Sequence, residues 1–365
     1  MHRKFLFIIN QNSAPEGTTE TLKNYFLEHG QYGHLYEPTA TVDDVRKQIA
    51  SHLHEVEGII TYGGDGTFHC ALNALYELEP TGQPGRVRRF GLEELVFGAL
   101  VGGGTGNDIG NALKMGDTRK ELSRGAELRS LRPIIESSVQ DDYIRTCDIG
   151  YFELHGRKRK LFFNILGAGY DACVVQRAKT LRQRYDRHLP GLSKFSYFLG
   201  ALVSVMNYKP TGVKSLRING RPVELHEKAF MVAVMNSWRA GGGLMLNPHG
   251  IMDDRALELV VLGDFSKPIS KLRLVGLLFG AFLGKPNVHH PKVRYFSNRD
   301  WDEIDAVDVR PPLNLQKKAI QKVQVAFEKS ILAQADGDIL PRTMGYEAGL
   351  FPWQLRVVTG RKNTL

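Results

Sequence analysis

The chain has 365 residues, of which 42% are hydrophobic and 24% are charged, and its formal net charge is +9. This length suffices for two domains with hydrophobic cores, and the longest apolar stretch, 272–283, falls well short of the roughly 20 residues that span a bilayer. The three cysteines, Cys70, Cys147 and Cys173, are odd in number and widely spaced. They argue against a disulfide framework or a zinc site and favour a reducing compartment.

The first hundred residues alternate apolar runs with helical patterns. Residues 18–28 have helical spacing of their apolar side chains, and Asp43 and Asp44 favour the first turn of a second helix. This alternation predicts a parallel sheet with helices on both faces. The runs that predict its strands are 4–9, 34–39, 58–62 and 96–101.

A glycine-rich turn, residues 63–67, follows the third apolar run and precedes a helical pattern at 68–78. Backbone N–H groups at such a turn form an anion site, and glycines let a phosphate approach the chain closely. Its carboxylate, Asp65, then suits a Mg²⁺ ion or a hydrogen bond beside bound phosphates. A plain strand-to-helix turn with an aspartate cap is the alternative interpretation.

A second turn that also contains Gly, Thr and Asp, residues 102–108, follows the strand at 96–101 and precedes a helical pattern at 109–115. Two such turns at the carboxyl ends of parallel strands can face one ligand. Neither is a Walker A loop or a dinucleotide-binding loop. The sequence therefore predicts a nucleotide-phosphate site of another type.

After residue 145 short apolar runs separated by Gly, Pro and Asn indicate antiparallel β structure. One helical interruption, 177–208, begins basic and ends apolar. The Gly- and Arg-rich stretch 79–95 is expected to be a surface insertion. These patterns predict a β-rich second domain packed against the first.

Six blocks in this order resemble the diacylglycerol kinase catalytic family, which includes bacterial lipid kinases and the sphingosine and ceramide kinases. The resemblance implies an α/β plus β fold: a parallel-sheet domain of the NAD kinase and diacylglycerol kinase type, then an antiparallel β-rich sandwich. We expect domains at 1–143 and 144–344, with about 345–365 returning to the first. The blocks are 63–67, 104–108, 163–172, Asn236 with 241–243, 248–259 and 336–338.

The resemblance also implies the site residues and the cofactors, ATP and Mg²⁺. Asp336, in an Asp-Gly-Asp turn, is the expected general base, although Asp-Gly is equally a hairpin-turn signal. Asp65 is the second expected catalytic residue, beside the bound phosphates, and a structural Mg²⁺ is expected on Asp254 with Ile251 and Ala256. The residues expected to bind the nucleotide are Asn10, Thr39, Gly63, Gly64, Asp65, Gly66, Thr67, Gly104, Thr105, Gly106, Asn107 and Asp108.

Two departures from the family pattern concern activity. His69-Cys70 stands where relatives commonly have Asn-Glu, which removes a carboxylate near the phosphates. Arg255 stands where they have glycine, beside the expected metal ligand. Both departures allow a weakened enzyme or an altered acceptor.

The implied acceptor is a lipid with a free hydroxyl, and the protein is expected to be cytoplasmic and peripheral at the membrane. Basic clusters at 157–160 and 177–187 fit an anionic membrane surface. No nucleic-acid module accompanies them, so no nucleic-acid partner is expected; a homodimer stays open. Two alternatives remain: an NAD kinase-like small-molecule kinase, and a nucleotide- or lipid-binding protein that has lost transfer activity.

Overall fold

The computed structural model describes residues 2–78, 94–102, 106–118, 120–121, 128–185, 203–225, 227–248, 250–285, 290–297, 315–317 and 320–362. Several predictions fall outside these residues. They are Gly104 and Thr105 of the second turn, the expected insertion up to residue 93, and 186–202 of the helix expected at 177–208.

The chain divides into two compact units. Met1–Cys147 with Trp353–Leu365 forms the first, here called the α/β unit, and Asp148–Pro352 forms the second, the β unit. These limits lie a few residues from the expected ones at 143 and 344.

The α/β unit alternates strands and helices, as its sequence pattern predicts. The strands and helices of this unit are β1 (Phe5–Asn10), α1 (Thr18–Glu28), β2 (Leu35–Thr39), α2 (Val42–His52), β3 (Gly58–Gly63), α3 (Asp65–Glu77), β4 (Val96–Val101), α4 (Asp108–Ala112) and α5 (Arg132–Val139). A 3₁₀ turn, Arg129–Leu131, directly precedes α5.

The sheet of this unit is parallel, with strand order β2–β1–β3–β4. Strands β3 and β4 are buried along their whole length and β1 over all but its last residue, as expected for strands covered by helices on both faces. The chain returns at the end of β15 (Asp338–Val358), where Arg356 and Val357 pair in parallel with β4. The order reverses between β1 and β3, because β1 also pairs with β2 on its other side.

Local sequence determines how the helices begin. Thr41 and Asp44 form a reciprocal capping box at α2, with the Asp44 N–H 3.1 Å from Thr41 Oγ1 and the Thr41 N–H 2.9 Å from Asp44 Oδ2. Helix α3 begins at Asp65, three residues earlier than predicted. Gly64 is extended and the Thr67 N–H donates to its carbonyl at 2.9 Å, so Asp65 to Thr67 form the first turn of the helix.

The β unit is built mainly from antiparallel strands. Helix α6 begins at Tyr170, earlier than predicted, and helix α7 was not predicted. The elements are β5 (Ile144–Leu154), β6 (Lys160–Phe162), β7 (Ile165–Gly169), α6 (Tyr170–Tyr185), β8 (Val213–Ile218), β9 (Arg221–Pro222), β10 (Met231–Met235), β11 (Glu258–Leu262), α7 (Pro268–Phe282), β12 (Val293–Ser297), β13 (Leu315–Lys317), β14 (Lys322–Ala335) and β15.

Strands β12–β11–β10–β7–β14 form one antiparallel ladder, which β14 extends to β15 and to β8. Strand β10 is buried on both faces. Val232 and Val234 pack into the core between strands, whereas Met231, Ala233 and Met235 pack under helices α6 and α7. The parallel α/β unit and the antiparallel β unit agree with the predicted fold class.

His34 makes the stability of the α/β unit depend on pH. Its Nδ1 accepts the Phe5 N–H at 3.0 Å, and its ring stacks on Phe5. Burial, with smaller contributions from the nearby positive groups of His2 and Lys4, lowers the pKa of His34 from 6.5 to about 4. Between these values the unfolded chain binds a proton that the folded chain does not.

We therefore expect the free energy of unfolding to fall by up to about 3 kcal/mol between pH 7 and pH 4 through this group. Urea unfolding across this range measures the effect. His34→Gln, which keeps an acceptor for the Phe5 N–H, should remove this part of the pH dependence, and His54→Gln, at an exposed histidine, should not. Equal slopes in His34→Gln and in the unsubstituted protein would contradict the prediction.

Candidate active site

Three residues expected to bind the nucleotide lie at the carboxyl ends of adjacent strands. Asn10 ends β1, Thr39 ends β2, and Gly63 ends β3 and leads into α3. The strand order reverses between β1 and β3, and open α/β sheets bind ligands outside the carboxyl ends of their strands at such a reversal. The topology therefore brings Asn10 and 63–67 to the place where this fold class binds ligands.

Contacts around the first turn are close. Asn10 Nδ2 donates to Thr67 Oγ1 at 3.0 Å, and a Cβ at Gly63 would clash with the same hydroxyl. Only glycine leaves room there for the Thr67 side chain. Gly64 caps α3 without a side-chain hydrogen bond, so no cap side chain blocks the amino end of this helix.

Asp65 connects the two glycine turns. Its Oδ2 accepts the Asp108 N–H at 3.0 Å and its Oδ1 accepts the Ile109 N–H at 2.9 Å. Asp65 thus caps α4, the helix that follows the second turn, rather than only its own helix. The carboxylate has a structural role in addition to any role toward phosphates.

The second turn approaches the first through its backbone. The Gly102 N–H donates to the Gly63 carbonyl at 3.0 Å, and a Cβ at Gly102 would clash with the ring of Tyr62. Asn107 is in the left-handed region with φ 52°. Its buried Oδ1 accepts no hydrogen bond within the part of the chain that the structure describes, so a ligand with an N–H or O–H group would satisfy it.

Thr39 is buried, and its hydroxyl lies 3.4 Å from the Ile9 carbonyl.

Asp336 occupies the hairpin turn between β14 and β15. Its Oδ2 accepts the Phe163 N–H at 2.7 Å, and its Oδ1 accepts the N–H groups of Asn164 at 2.8 Å and Ile165 at 3.0 Å. The residue is buried and has a positive φ of 47°. The sequence predicted both a hairpin turn and a carboxylate here, and both are present. Three backbone N–H groups already donate to this carboxylate.

A small pocket, partly open to solvent, lies in the β unit between α6, α7 and the sheet. Its lining is mainly aliphatic. The side chains with polar groups in it are Tyr170, Asp171 and Gln334, and Gln334 Nε2 donates to Asp171 Oδ2 at 3.0 Å. The aliphatic lining includes Ile165, Val174, Met231, Leu244, Leu262 and Leu278.

Asp171 is the residue that sequence reasoning missed. The residue is partly exposed, but its Oδ1 is shielded from solvent and accepts no hydrogen bond from any described residue. Burial raises the pKa of Asp171 from 3.8 to about 6, against a smaller opposing contribution from the Gln334 hydrogen bond. A carboxylate with a free oxygen and a pKa near neutrality is typical of functional sites. Its position in the 163–172 block was the available signal.

The loop expected to hold a structural Mg²⁺ is fixed by other contacts. Arg255 has φ 58°, a conformation that favours glycine, and its guanidinium lies 3.3 Å from the fully buried carboxylate of Asp148. Its N–H donates to Asp148 at 2.7 Å, and Asp254 Oδ1 accepts the Ala256 N–H at 3.2 Å. The described residues contain no cluster of three or more His, Cys, Asp or Glu suited to a metal. The Arg255 cation is thus paired with Asp148, and the Mg²⁺ site expected on Asp254, Ile251 and Ala256 stays a prediction.

Some residues of the basic clusters expected at the membrane contact other side chains of the protein. Arg157 and Lys158 are exposed, but the Arg159 guanidinium lies 4.2 Å from the centre of the Tyr151 ring. Lys179 pairs with Asp338 at 3.2 Å. Within the described segments, no helix has the length and apolar composition needed to span a bilayer.

Comparisons with known proteins give two family models that match different parts of the chain. A family model described as the diacylglycerol kinase catalytic domain matches residues 4–137, and one described as the YegS C-terminal NAD kinase beta sandwich-like domain matches residues 164–304. Residues 4–137 therefore belong to the diacylglycerol kinase catalytic domain family, and residues 164–304 to the YegS C-terminal domain family. This confirms the resemblance and the predicted fold class. Family membership makes the chain a kinase-family protein, for which ATP is the implied phosphate donor.

Individual relatives of this family agree. The chain is 24% identical over 286 residues to a probable YegS-like lipid kinase of Shewanella frigidimarina, covering 78% of this chain and 76% of the relative. It is 25% identical over 264 residues to a diacylglycerol kinase of Bacillus subtilis, covering 70% and 72%. A crystal structure of a diacylglycerol kinase from Bacillus anthracis superposes with a TM-score of 0.61 at 16% identity, covering 98% of this chain and 97% of that one; this likeness shows the fold.

The double role of Asp65 leads to a prediction that separates its functions. Asp65→Ala removes the cap of α4 and should lower the free energy of unfolding by about 1 kcal/mol, and it should also abolish nucleotide-dependent activity. Asp44→Ala removes a comparable cap at α2, away from the two glycine turns, and should cost similar stability with activity retained. The measurements are urea unfolding and ATP titration of both variants. Unchanged ATP affinity and turnover in Asp65→Ala would contradict the assignment.

Proposed function

We propose that this protein is an ATP-dependent lipid kinase that transfers the γ-phosphate of ATP to a hydroxyl of a lipid such as diacylglycerol. The observation that carries the proposal is the aliphatic pocket in the β unit of a kinase-family chain, which Asp171 lines with a carboxylate that has one oxygen without a described donor. An alkyl chain fits the aliphatic lining, and an acceptor hydroxyl fits the free oxygen of Asp171.

ATP binds in this proposal at the two glycine turns. The amino end of α3 and the backbone of 63–67 face the phosphates, and Asn107 Oδ1 accepts from a donor of the nucleoside. Mg²⁺, when bound with ATP, supplies neutralisation of the phosphate charge, and Asp65 is the residue proposed to hold it. The loop with Asp254, Ile251 and Ala256 is proposed to hold a separate structural Mg²⁺ ion, as the family resemblance implies.

The transfer forms a bond between the acceptor oxygen and the γ-phosphorus and breaks the bond from that phosphorus to the β,γ-bridging oxygen. ADP leaves with that oxygen, and the acceptor's proton passes to a carboxylate. Asp336 remains the proposed base. Gln334 bonds both to Asp171 and to the residue after Asp336, because its Nε2 donates to Asp171 and its Oε1 accepts the Gly337 N–H at 2.9 Å. We propose that the acceptor hydroxyl donates to Asp171 when the lipid binds, and that it donates to Asp336 when it attacks, so that Asp336 takes the proton.

This division of roles predicts a kinetic effect for Asp336→Asn. Loss of the base should lower kcat by about 10² to 10⁴-fold, while ATP affinity stays within a few fold. The substitution also removes an acceptor from three backbone N–H groups, so thermal unfolding must be measured and kcat referred to folded protein. Asp338→Asn, in the same turn but partly exposed and paired with Lys179, is the matched control and should retain activity. A decrease of only a few fold would place the base elsewhere.

Asp171→Asn should act on acceptor binding and on the pH profile. With a pKa near 6, the Asp171 carboxylate is charged above pH 6 and protonated below it, so kcat/KM for the lipid should fall as pH decreases through about 6. Asp171→Asn should raise the KM for the lipid by at least about tenfold and remove this acid limb, with the KM for ATP unchanged. An intact acid limb near pH 6 in the variant would contradict the role.

The acceptor itself is identified by transfer of labelled phosphate from ATP to a mixed lipid extract, with the product determined by its mass. The same assay decides between the kinase and the alternative of a binding protein that has lost transfer, which would bind ATP without consuming it. A cytoplasmic location with peripheral membrane contact is part of the proposal; a homodimer remains an expectation that sedimentation velocity tests.

A further inference from the structure

Exposed apolar side chains concentrate around helix α7. The described residues include 13 exposed large hydrophobic side chains, and seven of them lie on or beside this helix. We call these seven residues the α7 face; they are between 41% and 73% exposed. They are Val203, Met206, Ile269, Leu272, Phe279, Phe282 and Leu283.

Helix α7 is apolar on two opposite sides. Leu274, Leu278 and Ala281 are buried against the β unit. At about 100° per residue, Ile269, Leu272, Phe279 and Leu283 fall within an arc of about 80° on the other side. A surface helix usually has charged and polar residues there. Its outer side therefore has the character of a binding surface rather than of a solvated helix.

Helix α7 and its ends are basic. Residues 265–285 contain four Lys or Arg and no Asp or Glu, and Asp264 lies just before them. The four are Lys267, Lys271, Arg273 and Lys285, and Lys271 Nζ donates to the Met206 carbonyl, which connects the two segments of the face. An apolar stripe flanked mainly by cations is the pattern of helices that lie in the interface of an anionic bilayer.

From this we propose that the α7 face docks onto an anionic lipid bilayer, with the helix in the plane of the interface. The proposal rests on the proposed lipid kinase function in one respect. Leu278 on the inner side of α7 lines the pocket assigned to the acceptor chain, so a docked helix would separate that pocket from the bilayer by its own thickness.

A second copy of this chain is the less favourable occupant. Two-fold contacts place the same surface on both sides, so they would bring Lys267, Lys271 and Arg273 of both copies close together without a described acidic residue on the face to neutralise them. Anionic head groups provide that neutralisation, and each Lys or Arg near such a surface favours binding.

The test compares two double substitutions of equal charge change. Leu272→Glu with Phe279→Glu alters the α7 face, and Tyr32→Glu with Met344→Glu alters exposed apolar residues elsewhere. Binding is measured by co-sedimentation with vesicles of equal parts phosphatidylcholine and phosphatidylglycerol. We expect the first variant to lose at least about tenfold in partition coefficient and the control to change by less than about twofold. All four positions are exposed, so circular dichroism should show native folding for both variants.

Three results would overturn the proposal. The first is equal vesicle binding by the α7 variant and the control. The second is loss of binding only when Arg157→Glu and Lys158→Glu are introduced, which would place the contact on that basic loop. The third is a change from dimer to monomer in the α7 variant by sedimentation velocity, which would make the face a contact between copies.

Vesicle binding requires no turnover, so its outcome is independent of whether the protein is a kinase. With a water-soluble short-chain acceptor, the α7 variant should transfer phosphate at the rate of the unsubstituted protein. The unsubstituted protein and the α7 variant could both fail to transfer phosphate while vesicle binding is lost in the α7 variant and kept in the control. In that case the kinase proposal fails and the docking proposal stands.

Discussion

Bonds from backbone N–H groups to buried or partly buried carboxylates hold the important loops of both units. Asp65 accepts from Asp108 and Ile109, Asp336 accepts from three consecutive residues at 163–165, and Asp148 accepts from Arg255. Charge-assisted bonds of this kind are shorter and stronger than neutral ones, and loss of the acceptor leaves buried donors unpaired. Each carboxylate therefore fixes a turn to a neighbouring strand or helix. The geometry of the proposed site depends on these contacts before any ligand binds.

Asp171 differs from the three aspartates that fix loops, because only one of its two carboxylate oxygens accepts a hydrogen bond from a described residue. One of its oxygens accepts from Gln334, and the other accepts nothing from the described residues although it is shielded from water. A folded chain tolerates such a group at a cost in free energy, and such costs are found mainly where a ligand recovers them. The aliphatic walls around Asp171 determine both the raised pKa of its carboxyl and the kind of ligand that can enter. The proposed selectivity for lipids and the protonation state of Asp171 would thus have the same physical origin.

Much of the α/β unit follows from the sequence, because buried parallel strands give continuous apolar runs such as 5–9 and 96–101, and glycine turns mark their carboxyl ends. Contacts between distant residues could not be predicted. The bond of Asp65 to Ile109 requires the sheet to bring two turns together, and the free oxygen of Asp171 requires knowledge of its surroundings. Helix α7 was missed because its apolar side chains show little periodicity: both of its sides are apolar. Arg255 was recognised as unusual, but its pairing with Asp148 came only from the fold.

The end of strand β15 has a consequence for how the chain acquires its structure. Strand β4 pairs with β3 on one side and with Arg356 and Val357 on the other, and Arg356 also bonds to Asp141 at 2.7 Å. During synthesis the amino-terminal unit cannot complete its sheet until almost the whole chain has left the ribosome. Until then the unpaired edge of β4 is open to pairing with other chains. A shortened protein ending near residue 147 would keep that edge permanently, so the α/β unit is not a separable module for expression.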